Sequence, residues 1–411
     1  MNLIVIDKCS NSCPYCFAQH EMKSKANRQL SKNDIKTLLS YIEKVEKPQA
    51  VNVIGGEPFL YNDLAYLLNL LYDSEKVKSI TVFTGGIFNS NKLETLRPFT
   101  SKITLLFNLN QKSDYKNDSQ YELVHKNICL ANSSGIPISI GYNIYNESFN
   151  KDEIIDYCYK YGIEILRLAV AKPPIGIKND IIISPGVYKN ISGKILDFLE
   201  DLTKMEIKAE LDCMLPKCFF TDLQLARLAQ IQPSMISALG KCGGSFDIDA
   251  DLSVFRCFAT STHLKKKLTD FESIKEVSDY FTRYFDRTFK QPDIFKECAD
   301  CEYAHNQTCQ GDCLSYYKHF NPKDSYDTIV DRIHSMLSNK ELGLIPKELI
   351  KLPMKHSSHT LLASYYYYYS RNERKALHFA RKTINMATTD EVVSSAKEII
   401  QLISDKNCSK I

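Results

Sequence analysis

The chain has 411 residues, 44% hydrophobic and 25% charged, which suits a soluble globular protein of two or three domains with a sizeable core. Lys and Arg number 52 against 49 Asp and Glu, and this near-neutral balance argues against a protein that grips nucleic acid by charge. No apolar run reaches the length of a membrane span, and the opening MNLIVIDKCS lacks the basic n-region and long apolar core of a signal peptide, so a cytoplasmic location is expected.

In chain order, LIVI (3–6) is a short apolar strand that runs straight into KCSNSCPYCFA (8–18). A helix is predicted over 31–45: Ser31 and Asp34 make a capping-box start, and Ile35, Leu38, Leu39 and Ile42 share one face. AVNVI (50–54) is the second strand, ended by Gly55-Gly56. Further strands are predicted at 79–83, 103–107, 136–145 and 163–170. Between them lie helical segments such as 151–162, which closes on a glycine. Six strand–helix units predict a parallel sheet, open or curled into a barrel, with its chemistry at the C-terminal strand ends. The cysteine loop and the Gly-Gly turn both occupy that position.

Fourteen cysteines in a reducing compartment point to metal or redox chemistry rather than disulfides. Cys129, Cys158 and Cys408 stand alone and read as small buried residues. Cys9, Cys13 and Cys16 follow a C-x3-C-x2-C spacing. A structural zinc site needs four ligands, and no His or fourth Cys lies close by. A [4Fe–4S] cluster held by three thiolates keeps one iron open for another ligand. In GGEP (55–58) two residues without a Cβ permit close approach to the main chain, and Glu57 offers a carboxylate to an ammonium group.

C-x3-C-x2-C after the first strand, with Tyr15 before the last Cys, and GGEP after the second strand together resemble the radical S-adenosylmethionine superfamily. The resemblance implies a partial (β/α)6 TIM-like barrel in which Cys9, Cys13 and Cys16 hold a [4Fe–4S] cluster. It implies that the open iron chelates S-adenosylmethionine, with Gly55, Gly56, Glu57 and Pro58 at its amino group and Tyr15 nearby. One-electron cleavage of the sulfonium would give methionine and a 5′-deoxyadenosyl radical that abstracts hydrogen from a substrate. FTGG (83–86) resembles the ribose-side turn of the family. At 107–115, where many peptide maturases carry an acidic Asp-Gly signature, this chain has Asn108, Asn110 and Gln111. Arg167 on the sixth strand suits either the carboxylate of S-adenosylmethionine or a substrate, or a structural ion pair.

KCGGSFDIDADLSVFRC places Cys242 and Cys257 around a predicted hairpin, and CADCEYAHNQTCQGDC sets Cys298, Cys301, Cys309 and Cys313 at C-x2-C-x7-C-x3-C. Together these resemble the SPASM domain of peptide- and protein-modifying radical enzymes, which implies auxiliary [4Fe–4S] clusters. Leu252 stands where the family's hairpin has Gly, the C-x7-C spacer is longer than usual, and no Cys follows Cys313 until Cys408. By family logic Cys242, Cys257 and Cys313, with Cys213 or Cys218, hold the first auxiliary cluster, and Cys298, Cys301 and Cys309 hold the second, its fourth ligand open. Two clusters, one cluster and zinc sites all fit these spacings.

The expected division is a barrel over 1–205, a small cysteine-rich SPASM-like domain over 206–322 and a helical tail over 323–411. In the tail, residues 359–387 resemble one tetratricopeptide-like helix pair with small residues Ala363, Ala376 and Ala380 and a turn at Arg371-Asn372. The run Tyr365 to Tyr369 suits a core or a partner surface. The chain opens two residues before its first strand, so no peptide-recognition domain is expected ahead of the barrel. The expected activity is modification of a ribosomal peptide or protein side chain, with flavodoxin or ferredoxin as electron donor and no nucleic acid or membrane partner. Radical chemistry on a small metabolite is the alternative, and a zinc-stabilised binding protein on a degenerate barrel is the reading from another class.

Overall fold

A computed structural model describes residues 1–16, 18, 28–172, 183, 188–243, 245–258, 261, 265–282, 295–298, 300–313, 315, 316, 363, 367, 371–386 and 390–408. They fall into two compact units. The first comprises 1–183, 243–290 and 314–326, and the second 184–242, 291–313 and 327–411.

The strands, in chain order, are β1 (Asn2–Ile4), β2 (Gln49–Ile54), β3 (Val77–Thr84), β4 (Ile103–Leu109), β5 (Ile138–Ile144), β6 (Ile165–Val170), β7 (Lys208–Leu211), β8 (Asp247–Ile248), β9 (Ser253–Phe255) and β10 (Lys266–Lys267). In the first unit the order across the sheet is β10-β9-β8-β1-β2-β3-β4-β5-β6. β1 to β6 run parallel, each beside the next, as the strand–helix alternation predicts for a partial barrel. On one face, Val51, Val53, Ile80, Val82, Leu105 and Phe107 are each at most 1% exposed. The alternate positions Asn52, Thr81, Asn108 and Arg167 are half-buried, so the period of two separates an apolar layer from a polar inner face.

The helices of this unit are α1 (Lys32–Ile42), α2 (Leu64–Asp73), α3 (Asp118–Ser133) and α4 (Lys151–Tyr161). The Ser31–Asp34 capping box forms as predicted, and α1 buries Ile35, Leu38 and Ile42. Gly162 ends α4 in the left-handed conformation at φ 62°. Cys158 is buried as expected, but Cys129 is exposed. Ile128 is buried, and one residue further round the helix points Cys129 away from the sheet.

The predicted hairpin is β8–β9, antiparallel within itself and joined to β1 by a parallel pairing through β8. The stretch 206–322 therefore contributes to both compact units. At the hairpin turn Leu252 adopts φ 60° and donates its N–H to the Asp249 carbonyl at 2.9 Å. A left-handed non-glycine costs about 1–2 kcal/mol. The Leu252 side chain, 6% exposed, offsets this with the roughly 1.5–3 kcal/mol of a buried leucine. Leu252→Gly is expected to lower stability by about 1 kcal/mol in a urea titration. A more stable variant would show that strain outweighs burial there.

The second unit contains α5 (Tyr188–Lys204), β7, a short turn of 3-10 helix over Lys217–Phe219, and α6 (Asp222–Ile231), which Thr221 and Gln224 open with a capping box. Its tail holds α7 (Glu373–Met386) and α8 (Asp390–Cys408). Ala376 and Ala380 are fully buried, and Arg371 turns the chain at φ 58°. Of the tyrosine run, Tyr367 is half-buried, and Tyr365, Tyr366, Tyr368 and Tyr369 lie outside the described residues.

Candidate functional site

β1 feeds Val5 and Ile6, both fully buried, into the cysteine loop. The turn after β2 continues the parallel ladder along it: Gly56 N–H donates to the Ile6 carbonyl at 2.7 Å, and Glu57 N–H to the Lys8 carbonyl at 2.8 Å. A Cβ on Gly55 would stand 2.6 Å from the Ile6 oxygen, and one on Gly56 2.2 Å from the Lys8 oxygen. The two glycines thus admit the cysteine loop's own backbone, a nearer reason for them than approach by a ligand. Arg28 fixes the loop's root. It donates to Asp7 at 2.7 Å and to Asp249 at 3.1 Å, and these carboxylates are 6% and 2% exposed.

Within the loop, Cys16 N–H donates to the Cys13 carbonyl at 3.1 Å and Asn11 N–H to Cys9 Sγ at 3.4 Å. Asn110, at the end of β4 and 1% exposed, donates its Nδ2 to Cys13 Sγ at 3.5 Å and accepts from the Tyr15 hydroxyl at 2.6 Å. Tyr15 also lies 5.6 Å from the Tyr145 ring. Burial pushes the Cys9 thiol up to about 12, and burial raises Cys13 too. Such thiols ionise only when a cation takes the charge, as a metal centre does. Three sulfurs on one short loop fit a [4Fe–4S] cluster that keeps one iron for another ligand. Asn11 Nδ2 is buried without a hydrogen-bond partner and stands 3.1 Å from where a Cβ on Gly85 would be.

Glu57 closes the corner between β2 and β3. Both its carboxylate oxygens accept from the Thr84 hydroxyl at 2.8 Å, Oε2 accepts from Gly85 N–H at 3.0 Å, and Oε1 from Phe59 N–H at 3.2 Å. Pro58 opens the short 3-10 helix Pro58–Leu60 and is buried. Burial raises the Glu57 carboxyl to about 7, against these donors, which pull it down. A carboxyl raised in the folded chain takes up a proton on folding at intermediate pH. Its contribution to stability therefore falls as pH climbs from the ordinary carboxylate range to about 7, and is level above that.

On the inner face, Arg167 donates to Asn108 Oδ1 at 3.4 Å and lies over the Phe83 ring at 5.5 Å. Gly141 stands between them in register and makes the room, since a Cβ there would meet Asn108 Oδ1 at 2.6 Å. Lys172, just past β6, is 2% exposed and lies 4.9 Å over the Tyr316 ring. Asn110, Thr84 and Lys172 were not among the residues marked by motif. Their shared signal is position at or just beyond a C-terminal strand end.

Cys257 belongs to the first unit, and Cys213, Cys218, Cys242, Cys298, Cys301, Cys309 and Cys313 to the second. There Cys218 stands with Cys298, Cys301 and Cys309, a different grouping from the expected one. Cys213 Sγ lies 3.6 Å from the Asp212 carboxylate, and Cys242 is exposed.

The family model described as a 4Fe-4S single cluster domain matches residues 2–126. The radical SAM cyclopropyl synthase TigE of Paramaledivibacter caminithermalis is 21% identical over 341 residues, 76% of this chain and 67% of that protein. Other curated relatives, GTP 3′,8-cyclases among them, are matched over 49% to 58% of their own length. Among solved structures, Streptococcus suis SuiB bound to its precursor peptide SuiA superposes with a TM-score of 0.53 at 18% identity, covering 76% of this chain and 71% of that one. anSMEcpe with bound AdoMet and the Cp18Cys peptide gives 0.57 at 16% identity, covering 82% and 98%. A chain whose first strand delivers three thiols to the mouth of a partial barrel, and whose likenesses run through cluster-binding and S-adenosylmethionine proteins, belongs to the radical S-adenosylmethionine superfamily.

Proposed function

We propose that this radical enzyme modifies a ribosomally made peptide or a protein side chain, by a carbon–sulfur or carbon–carbon crosslink or a two-electron oxidation. The reach of the structural likeness carries the reading: it covers 76% and 82% of the chain, more than the barrel strands supply, and both neighbours were solved with a peptide bound. On this reading residues 1–205 form the barrel domain, 206–322 a SPASM-like domain and 323–411 a helical tail.

Cys9, Cys13 and Cys16 would hold the [4Fe–4S] cluster, which with S-adenosylmethionine supplies a 5′-deoxyadenosyl radical for hydrogen abstraction. Gly55, Gly56, Glu57 and Pro58 shape the corner for the amino group of S-adenosylmethionine. Asn110 holds Tyr15 and Cys13 in place. Arg167, steadied by Asn108, presents positive charge for a carboxylate on the inner face. Cys213, Cys242, Cys257 and Cys313 are left for an auxiliary cluster. A flavodoxin or ferredoxin would supply electrons, and the cytoplasm is the proposed location. Among the described residues no helix is long and apolar enough to cross a membrane.

The reading is tested with the anaerobically reconstituted enzyme, S-adenosylmethionine, dithionite and short peptides encoded beside its gene. The expected result is 5′-deoxyadenosine together with a peptide of altered mass. The cyclase relatives favour one other reading, a small metabolite as substrate. Unmodified peptides alongside consumption of a nucleotide would establish that reading instead.

Glu57→Gln is expected to weaken S-adenosylmethionine binding roughly ten- to a hundredfold while iron content stays near that of the parent. A charge-assisted hydrogen bond is worth about 1.5–3 kcal/mol. The amide also places a donor against the N–H of Gly85 or Phe59, and it abolishes the pH dependence of stability assigned to this carboxyl. Equal affinity in an equilibrium titration would remove Glu57 from the binding site.

A further inference from the structure

The second unit brings the chain before Cys218 against the loop of Cys309 through Gly240. Gly240 N–H donates to the Leu215 carbonyl at 2.7 Å, and the Gly240 carbonyl accepts from Gln310 N–H at 2.7 Å. Gly240 sits at φ 71°, and a Cβ there would lie 2.8 Å from Cys309 Cα and 3.0 Å from its sulfur, so only glycine fits. The Lys217 N–H donates to the Cys309 sulfur, and Cys218 is the next residue. On the facing segment, Cys301 N–H donates to the Cys298 carbonyl at 3.1 Å, closing the C-x2-C turn. Cys309 N–H donates to the Tyr303 carbonyl at 3.0 Å, which folds the long C-x7-C spacer back onto Cys301. Tyr303 in turn donates its hydroxyl to Asp222 at 2.5 Å, at the start of α6. Cys218 is thereby within electrostatic reach of Cys301 and Cys309, and Cys298 within reach of all three.

We propose that Cys218 is the fourth ligand of a [4Fe–4S] cluster held by Cys298, Cys301 and Cys309, so that the second unit completes one auxiliary site without any cysteine beyond Cys313. Four thiolates are the full complement of such a cluster, and none of its irons is then open to a substrate. The site is an electron relay rather than a binding centre. Lys217, 5% exposed and beside Cys309, places a positive charge against a cluster that carries negative charge, and Cys218 stands at the exposed edge of the set. The inference rests on the radical-enzyme reading only for the identity of the metal. Among the described residues no three thiols, imidazoles or carboxylates stand in the array that holds a single ion.

The test uses the full chain carrying Cys9, Cys13 and Cys16 replaced by Ala, reconstituted anaerobically with iron and sulfide. Cys218→Ala in that background is expected to lower bound iron by up to about four atoms per chain, or to leave a three-iron signal in electron paramagnetic resonance. Cys218→Asp, whose carboxylate can still bind iron, regains the iron with a shifted Mössbauer spectrum. Cys213→Ala leaves this cluster's spectrum unchanged. Unaltered iron and spectrum in Cys218→Ala would overturn the assignment, and so would loss of the same cluster in Cys213→Ala or zinc in place of iron. Because the background lacks the radical-cluster thiols and the readout is iron, failure here leaves the radical-enzyme reading standing.

Discussion

Replacing Cys9, Cys13 and Cys16 together by Ala is expected to reduce cleavage of S-adenosylmethionine to background while iron stays bound in the rest of the chain. The three thiols occupy one loop, and what holds that loop does not depend on them. Its root is fixed by Arg28 on Asp7 and Asp249, and its exit by the backbone bonds from Gly56 and Glu57 to Ile6 and Lys8. Only two weak sulfur contacts, from Asn11 N–H and Asn110 Nδ2, are lost with the thiols. The barrel should therefore fold in the triple variant, and the loss should be chemical. Two measurements check it: 5′-deoxyadenosine formed under dithionite, and iron per chain against the parent. If the triple variant still makes 5′-deoxyadenosine, the radical cluster lies elsewhere.

Gly56→Ala is expected to destabilise the first unit by about 3 kcal/mol or more and to lower cluster occupancy with it. A Cβ at position 56 would stand 2.2 Å from the Lys8 carbonyl oxygen and 2.4 Å from its carbon. Both are backbone atoms of the cysteine loop, one residue before Cys9, and no rotamer change relieves the clash. The loop must move away, which breaks the Glu57-to-Lys8 hydrogen bond and displaces the first thiol. Gly85→Ala provides the contrast. Its nearest atom is the Asn11 side-chain amide nitrogen at 3.1 Å, which can swing aside, so a loss of less than about 1 kcal/mol is expected. Urea titration of both variants, with iron content, compares them. Equal stability of Gly56→Ala and the parent would mean that the loop does not lie against β2.

The alternation of strands and helices, the Ser31–Asp34 cap, the glycine stop at Gly162, the hairpin around 247–255 and the placement of three thiols just past β1 were legible in the sequence. These features rest on hydrogen bonds and side-chain periods that span a few residues, so local spacing specifies them. The family resemblance came through the same short motifs. Contacts that join distant segments were decided only by the tertiary structure. Asn110 reaches Cys13 across the barrel mouth because β1 and β4 end at the same level of the sheet, although 97 residues separate the two. Glu57 is absorbed by Thr84 and Gly85 because β2 and β3 are neighbours in parallel register. Gly55 and Gly56 answer to the backbone of Ile6 and Lys8, and Cys218 keeps company with Cys309 because Gly240 lets two loops touch. Leu252 holds a left-handed conformation that its sequence neighbours do not require, since its side chain is buried where the hairpin packs. Spacing along the chain carries no record of such pairings, because they depend on which strands and loops come to lie side by side once the apolar layer is buried.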